Sequence, residues 1–173
     1  MNEGKCTLER EHITHPLVPI FNEQSRVLVL GTMPSPKARE VGFYYGHPQN
    51  RFWRVMANLF NEPLAITNEE RTLQMLKHGI ALWDVLADCD IAGASDASIR
   101  NARPNNLMRI VDCAPIQAIF CTGAKSHELY RKLCEPDTGI SAIRLPSTSA
   151  ANAAMRLDDL VCEYRAILPY LED

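Results

Sequence analysis

Asn50 stands three residues after His47 and five after Tyr45, within the run Gly42-Phe43-Tyr44-Tyr45-Gly46-His47-Pro48-Gln49-Asn50-Arg51-Phe52-Trp53. A carboxamide can hold a water through its carbonyl and donate to a ligand through its NH2. An imidazole beside it can carry a proton near neutral pH. Three adjacent rings, Phe43, Tyr44 and Tyr45, offer a platform for a planar ligand, and stacking on an aromatic side chain is worth about 1–3 kcal/mol per base. Each group also has a plainer use. Asn50 can cap the helix that follows, His47 can anchor its loop beside Pro48, and the rings can pack under that loop.

Two further loops carry unusual residues. Gly31-Thr32-Met33-Pro34-Ser35-Pro36 holds a glycine and two prolines and reads as neither helix nor strand. Leu145-Pro146-Ser147-Thr148-Ser149-Ala150-Ala151-Asn152 places hydroxyls and small side chains after an apolar stretch. Small residues let backbone N–H groups approach a phosphate, and hydroxyls add donors; the same residues also suit a turn into the last helix. No Gly-x-Ser-x-Gly elbow, phosphate loop or dinucleotide fingerprint is present. A small-molecule hydrolase acting through Ser149 is therefore disfavoured. Lys37, Arg39, Arg51, Arg54, Arg100, Arg103, Lys125 and Arg144 lie near these loops, as either a local positive groove or solvated charges.

Strands and helices must bring these loops together. Residues 26–30, 80–86, 116–121 and 141–145 read as strands, and 50–60, 69–78, 104–112, 124–134 and 157–171 as helices. Asn68 is the expected N-cap of the second helix, Pro104 opens the third, and residues 88–103 read as a polar loop. The alternation predicts a three-layer α/β/α sandwich around a central, mainly parallel four-stranded sheet. In such sheets ligands bind beyond the carboxyl ends of the strands, where residues 31–49, 122–126 and 146–152 converge.

The 173 residues fit one domain, with residues 1–24 as an extension packed on or flanking it. Net charge is −3, so no global positive footprint attracts nucleic acid. No apolar run is long enough for a membrane span, and Met1 to Glu11 lacks the apolar stretch of a secretory signal. Six cysteines, none at metal-site spacing, fit a reduced compartment. A cytoplasmic protein without metal or cofactor is the expectation.

The motifs resemble those of the uracil-DNA glycosylase superfamily over residues 25 to 171. His47-Pro48-Gln49-Asn50-Arg51-Phe52-Trp53-Arg54-Val55 is similar to the His-Pro-x-Asn-Arg-Phe-Trp-Lys-Val of its mismatch-specific branch, and Leu145-Pro146-Ser147-Thr148-Ser149 to that branch's second motif. That branch's catalytic asparagine falls on Met33, which neither orients a water nor accepts a strong hydrogen bond. The Gly-Thr-Met-Pro-Ser start, the Gly-Phe-Tyr-Tyr-Gly-His-Pro-Gln-Asn-Arg-Phe-Trp stretch and the Leu-Pro-Ser-Thr-Ser-Ala-Ala-Asn end look closest to the hypoxanthine-DNA glycosylases.

The resemblance implies a monofunctional glycosylase that acts on deaminated bases in double-stranded DNA, hypoxanthine first, as a monomer. It implies that Asn50 positions water at the sugar and that Tyr45, with Phe43, holds the flipped base beside Thr32 and Met33. His47 or Asp84 would stabilise the departing purine. Ser147, Thr148 and Ser149 would grip phosphate, with Ala150, Asn152 and Lys125 also on the DNA. Uracil or xanthine excision, or a catalytically silent sensor of the same fold, are the alternatives.

Overall fold

The computed structural model describes residues 8–172. Seven strands run in chain order: β1 Glu11–Thr14, β2 Val27–Gly31, β3 Ile80–Asp84, β4 Leu86–Ile91, β5 Arg100–Pro104, β6 Ala118–Thr122 and β7 Ala142–Leu145. The helices are α1 Pro36–Val41, α2 Phe52–Leu59, α3 Asn68–Lys77, α4 Met108–Val111, α5 Ala124–Leu133, α6 Glu135–Thr138 and α7 Leu157–Tyr164. A 3-10 turn, Arg165–Tyr170, continues α7 and contains Pro169, whose missing N–H suits it poorly to a regular helix.

Four strands form a parallel sheet in the order β3-β2-β6-β7. Every residue of β2 and β3 is buried. Their unbroken apolar runs are what a sheet covered on both faces requires. Helices flank it: α3 packs on β3, α5 on β6 and β7, and α2 against α7. The predicted sandwich and its four parallel strands are therefore present. Gly31 pairs with Asp84 and Thr122 with Leu145, so the carboxyl ends of all four strands lie along one edge.

A second, antiparallel sheet, β1-β4-β5, corrects the reading of residues 88–103 as a loop. Its polar sequence hid it, because the charges pair on the sheet. Arg103 meets Asp88 at 2.6 Å, and Asn101 donates to Asp90 at 2.7 Å. Only Val85 separates β3 from β4, so the chain steps directly from one sheet into the other. Residues 11–20 follow that step: Thr14 pairs with Asp88, the His15 N–H donates to the Ala87 carbonyl at 2.7 Å, and Ile20 bridges to Leu82.

Other boundaries also move. Pro104 ends β5 rather than opening a helix, and the helix there spans only Met108–Val111. Thr67, not Asn68, caps α3: its hydroxyl accepts from the Glu70 N–H, and Glu70 accepts in return from the Thr67 N–H. Gly31 belongs to β2, and Pro36 opens α1 behind Ser35, whose hydroxyl accepts from the Ala38 N–H.

Glu62 ties the exit of α2 to the end of α3 through Lys77 at 2.6 Å, Gln74 at 3.1 Å and His78 at 2.8 Å. Lys77 above all, helped by Gln74 and His78, pushes its carboxyl down to about 2. A carboxylate depressed in the folded state stabilises fully above its unfolded pKa, and that contribution fades as pH falls through the folded one. Thermal melts should therefore show wild type above Glu62→Gln at neutral pH, with the gap closing between pH of about 4.5 and about 2.

Candidate active site

At the carboxyl edge of the parallel sheet lies a cleft of about 370 Å³. The loop after β2 contributes Thr32, Met33, Pro34 and Ser35, and the segment before α2 contributes Tyr44, Tyr45, His47, Gln49 and Asn50. Ser147, Ser149, Ala150 and Ala151 come from the loop after β7. Asp84 and Thr122 enter from their strand ends, and Gly93, Ala94 and Asp96 from beyond β4. Three loops distant in sequence thus form one site.

The Asn50 amide is oriented by its oxygen. Oδ1 accepts from the Phe52 N–H at 2.9 Å and from the Thr148 hydroxyl at 2.8 Å. Both lone pairs are engaged, so the carbonyl is not free to hold a water. The NH2 makes no hydrogen bond to another described residue, and Asn50 lines the cleft. Cap and ligand-facing donor therefore coexist in one side chain.

Arg51 fixes the loop after β7. Its Nη2 donates to the carbonyls of Ser149 at 2.8 Å and Asn152 at 3.0 Å. Nη1 donates to the Met155 carbonyl and Nε to that of Thr148 at 3.4 Å. The Arg51 backbone N–H also donates to the Thr148 carbonyl, at 3.0 Å. From α7, the Tyr164 hydroxyl donates to the Pro146 carbonyl at 2.8 Å. The planar guanidinium, with five donors in a fixed fork, suits a cluster of carbonyls in a way one ammonium does not.

The three rings divide their work. Phe43 packs against Trp53, centroids 5.8 Å apart, and the Trp53 indole N–H donates to the Tyr44 carbonyl at 3.0 Å. Tyr44 reaches the cleft wall, while its hydroxyl donates to the Val18 carbonyl at 2.8 Å. Tyr45 stacks on Phe52 at 3.9 Å with 14° between the planes. Its backbone sits at φ 53°, in the left-handed region that costs a non-glycine residue on the order of 1 kcal/mol or more. The Thr122 hydroxyl donates to the Leu30 carbonyl at 3.3 Å, so Tyr45 Oη, 3.4 Å away, is the donor to Thr122. Burial, and next the Asp84 carboxylate, hold the Tyr45 phenol neutral far above its ordinary pKa.

His47 is exposed, and its Nδ1 accepts from the Gln49 N–H at 3.1 Å, which leaves Nε2 to carry the ring hydrogen. Asp84 is 4% exposed. Its Oδ2 meets His15 Nε2 at 2.7 Å. A Cβ on Gly31 would lie 2.5 Å from Asp84 Oδ1, so only glycine fits opposite that carboxylate. Ser147 Oγ accepts from the Ser149 N–H and Ser149 Oγ from the Ala151 N–H, each at 3.2 Å. Both hydroxyl hydrogens remain available to a ligand.

Four expected contacts sit elsewhere. Phe43 lines a separate apolar groove with Leu17 and Leu76. Thr148 is 1% exposed, and its hydroxyl is spent on Asn50. The Asn152 amide donates to the Ser147 carbonyl at 3.0 Å, holding its own loop. Lys125 lies 3.6 Å from Glu128 and does not line the cleft. Of the basic residues near these loops, three are engaged within the protein: Arg51 as described, Arg39 with the Pro34 carbonyl and Arg103 with Asp88. His15 was missed; it lies 69 positions from Asp84 in no motif, and only the strand pairing brings it there. Among the described residues no three His, Cys, Asp or Glu side chains gather closely enough to hold a metal ion.

The model of the uracil DNA glycosylase superfamily matches residues 18–171, which takes in all three loops and every strand of the parallel sheet. The chain belongs to that superfamily. Within it, the chain is 33% identical over 136 residues to a hypoxanthine DNA glycosylase of Methanosarcina barkeri, covering 78% of this chain and 85% of that one. It is 31% identical over 134 residues to a hypoxanthine DNA glycosylase of Methanosarcina acetivorans, covering 77% and 84%. A solution NMR structure of a candidate uracil DNA glycosylase from Methanosarcina acetivorans superposes with a TM-score of 0.79 at 25% identity, covering 94% of this chain and all of that one. The superfamily's fold thus accounts for the four-stranded sheet and its cleft.

Arg51→Met should lower stability by at least about 2 kcal/mol, because it strands several carbonyls at once. Hydrogen exchange should localise the loosening to residues 147–155, and Arg51→Lys should recover little of it. Urea melts of the three proteins, with exchange on each, check this.

Proposed function

We propose that this protein is a DNA repair glycosylase that hydrolyses the N-glycosidic bond of deaminated bases in double-stranded DNA, hypoxanthine first, and leaves an abasic site. It works as a single-domain monomer. The observation that carries the reading is the Asn50 NH2, left without a partner by the two contacts of its oxygen in the lining of a cleft where Met33 offers no hydrogen bond. Relatives named as hypoxanthine DNA glycosylases support the choice of base. Among the described residues no helix is long and apolar enough to cross a membrane.

The lesion nucleotide leaves the stack and enters the cleft, at a cost of a few kcal/mol that is smallest for a poorly paired base. About 370 Å³ is ample for a purine nucleoside. Tyr45, backed by Phe52, supplies the ring against which the base rests. The C1′–N9 bond then breaks through an oxocarbenium-like state, water adds to C1′, and the base departs with a proton. The Asn50 NH2 donates to the purine as negative charge builds there, aided by backbone donors at Thr32 and Met33. Such a donor is worth about 2.7–4 kcal/mol. His47 Nε2–H, at the rim, is a second donor. Asp84, a carboxylate, can only accept, so its part is to hold the base. Ser147 and Ser149 donate to the backbone phosphate, and Ala150 approaches the space the base vacated.

Asn50→Asp keeps an oxygen for Phe52 and Thr148 but deletes the NH2. Single-turnover base release from a hypoxanthine duplex should fall at least about 100-fold, with the melting temperature nearly unchanged. Unaltered turnover would reduce Asn50 to a cap and remove the chemistry from this reading. A panel of duplexes, each with one lesion, ranks hypoxanthine against uracil and xanthine; binding without alkali-labile breaks would indicate a silent sensor instead.

Tyr45→Ala should weaken binding of a hypoxanthine duplex about 10-fold while leaving undamaged duplex nearly unaffected. Equal losses on both would argue against stacking. Fluorescence anisotropy on the two duplexes measures it.

A further inference from the structure

We propose that His15 is a positioning residue: it fixes Asp84 as a one-sided acceptor for the ring N–H that deamination creates on a base. The proposal rests on the glycosylase reading and names how the cleft tells an altered base from its parent.

The His15 and Asp84 side chains are 3% and 6% exposed. The Leu17 N–H donates to His15 Nδ1 at 3.2 Å, so Nδ1 carries the lone pair. Nε2 therefore carries the hydrogen and donates it to Asp84 Oδ2 at 2.7 Å. The imidazole is neutral in this arrangement, and the pair keeps the full negative charge of the carboxylate. A buried carboxylate is costly unless its oxygens are hydrogen-bonded. Oδ1 has no hydrogen-bond donor among the described residues, and Asp84 lines the cleft.

The surroundings leave Oδ1 for a ligand. The Tyr44 hydroxyl donates to the Val18 carbonyl and the Tyr45 hydroxyl to Thr122, so neither phenol competes. Oδ1 approaches Gly31 so closely that a Cβ there would lie 2.5 Å from it. The site thus presents a fixed anionic acceptor whose other oxygen is occupied. Deamination of adenine turns ring N1 from an acceptor into an N–H donor, and deamination of cytosine does the same at N3. A fixed carboxylate attracts the donor edge and repels the lone pair of the unaltered base.

The test compares duplexes carrying hypoxanthine or N1-methylhypoxanthine, in which a methyl group replaces the N1 hydrogen and the 6-oxo ring is kept. Wild type, Asp84→Ala, His15→Leu and His15→Gln are assayed for single-turnover release and for equilibrium binding. The intrinsic difference in leaving ability cancels between variants. Asp84→Ala should cut the preference for hypoxanthine by about 10- to 100-fold. His15→Leu should cut it in the same direction, and His15→Gln, whose amide N–H can reach Asp84, should restore most of it.

If the variants lower both substrates by one factor, the pair acts on water or on folding and the proposal is overturned. Should His15→Leu fail to melt cooperatively, Asp84→Asn, which keeps the shape without the charge, takes its place and should lose the preference too. If wild type releases neither base, the glycosylase reading fails, and binding decides the proposal alone. A hypoxanthine preference in binding that vanishes in Asp84→Ala upholds it, and equal affinities overturn it.

Discussion

One guanidinium joins the two halves of the cleft. Arg51 begins the first long helix, yet its donors reach carbonyls 97 to 104 positions further along the chain. Those carbonyls belong to a loop with almost no regular structure, whose polar groups need partners once they are drawn against the domain. Arg51 supplies several together, and Tyr164 supplies another from the opposite side. Remove that bracket and Thr148 has no fixed place, so the Asn50 amide loses one of the two contacts that set its direction.

The arrangement resolves a conflict within a single side chain. An asparagine at a helix entrance is commonly consumed by capping, and Asn50 does accept from Phe52. Because Thr148 takes the second lone pair, the whole oxygen faces the protein and the nitrogen is left over for the cleft. The polarity of the amide is thereby assigned by the fold. The rings follow the same economy: Phe43 and Trp53 pack together so that Tyr45, against Phe52, can stand in a strained backbone conformation beside the cleft.

Much of this was legible beforehand. Val27 to Leu30 and Ile80 to Leu82 are unbroken apolar runs, and such runs announce buried parallel strands. The loops at their ends stood out by composition, and nine of the named site residues do line one cleft. What escaped was anything decided by distant pairing. Asp88, Asp90, Asn101 and Arg103 look like a solvated loop until their charges are seen opposite one another. Thr148 reads as a phosphate ligand until its burial is known, and Arg51 as one loop charge among several until its carbonyls are found. His15 carries no local signal at all; its place beside Asp84 follows from β1 pairing with β4.

The single residue Val85 between the two sheets has an evolutionary consequence. Its N–H donates to the Gly31 carbonyl at 2.8 Å, and the next residue's N–H donates to the Thr32 carbonyl at 3.1 Å. No insertion can enter there without shifting Asp84, and no side chain can be added at position 31. The base of the cavity is thus frozen by geometry, while the hydroxyl-bearing rim is held through its backbone carbonyls and leaves its side chains free to change. Lineages descending from this architecture should diversify at the mouth and stay uniform at the depth.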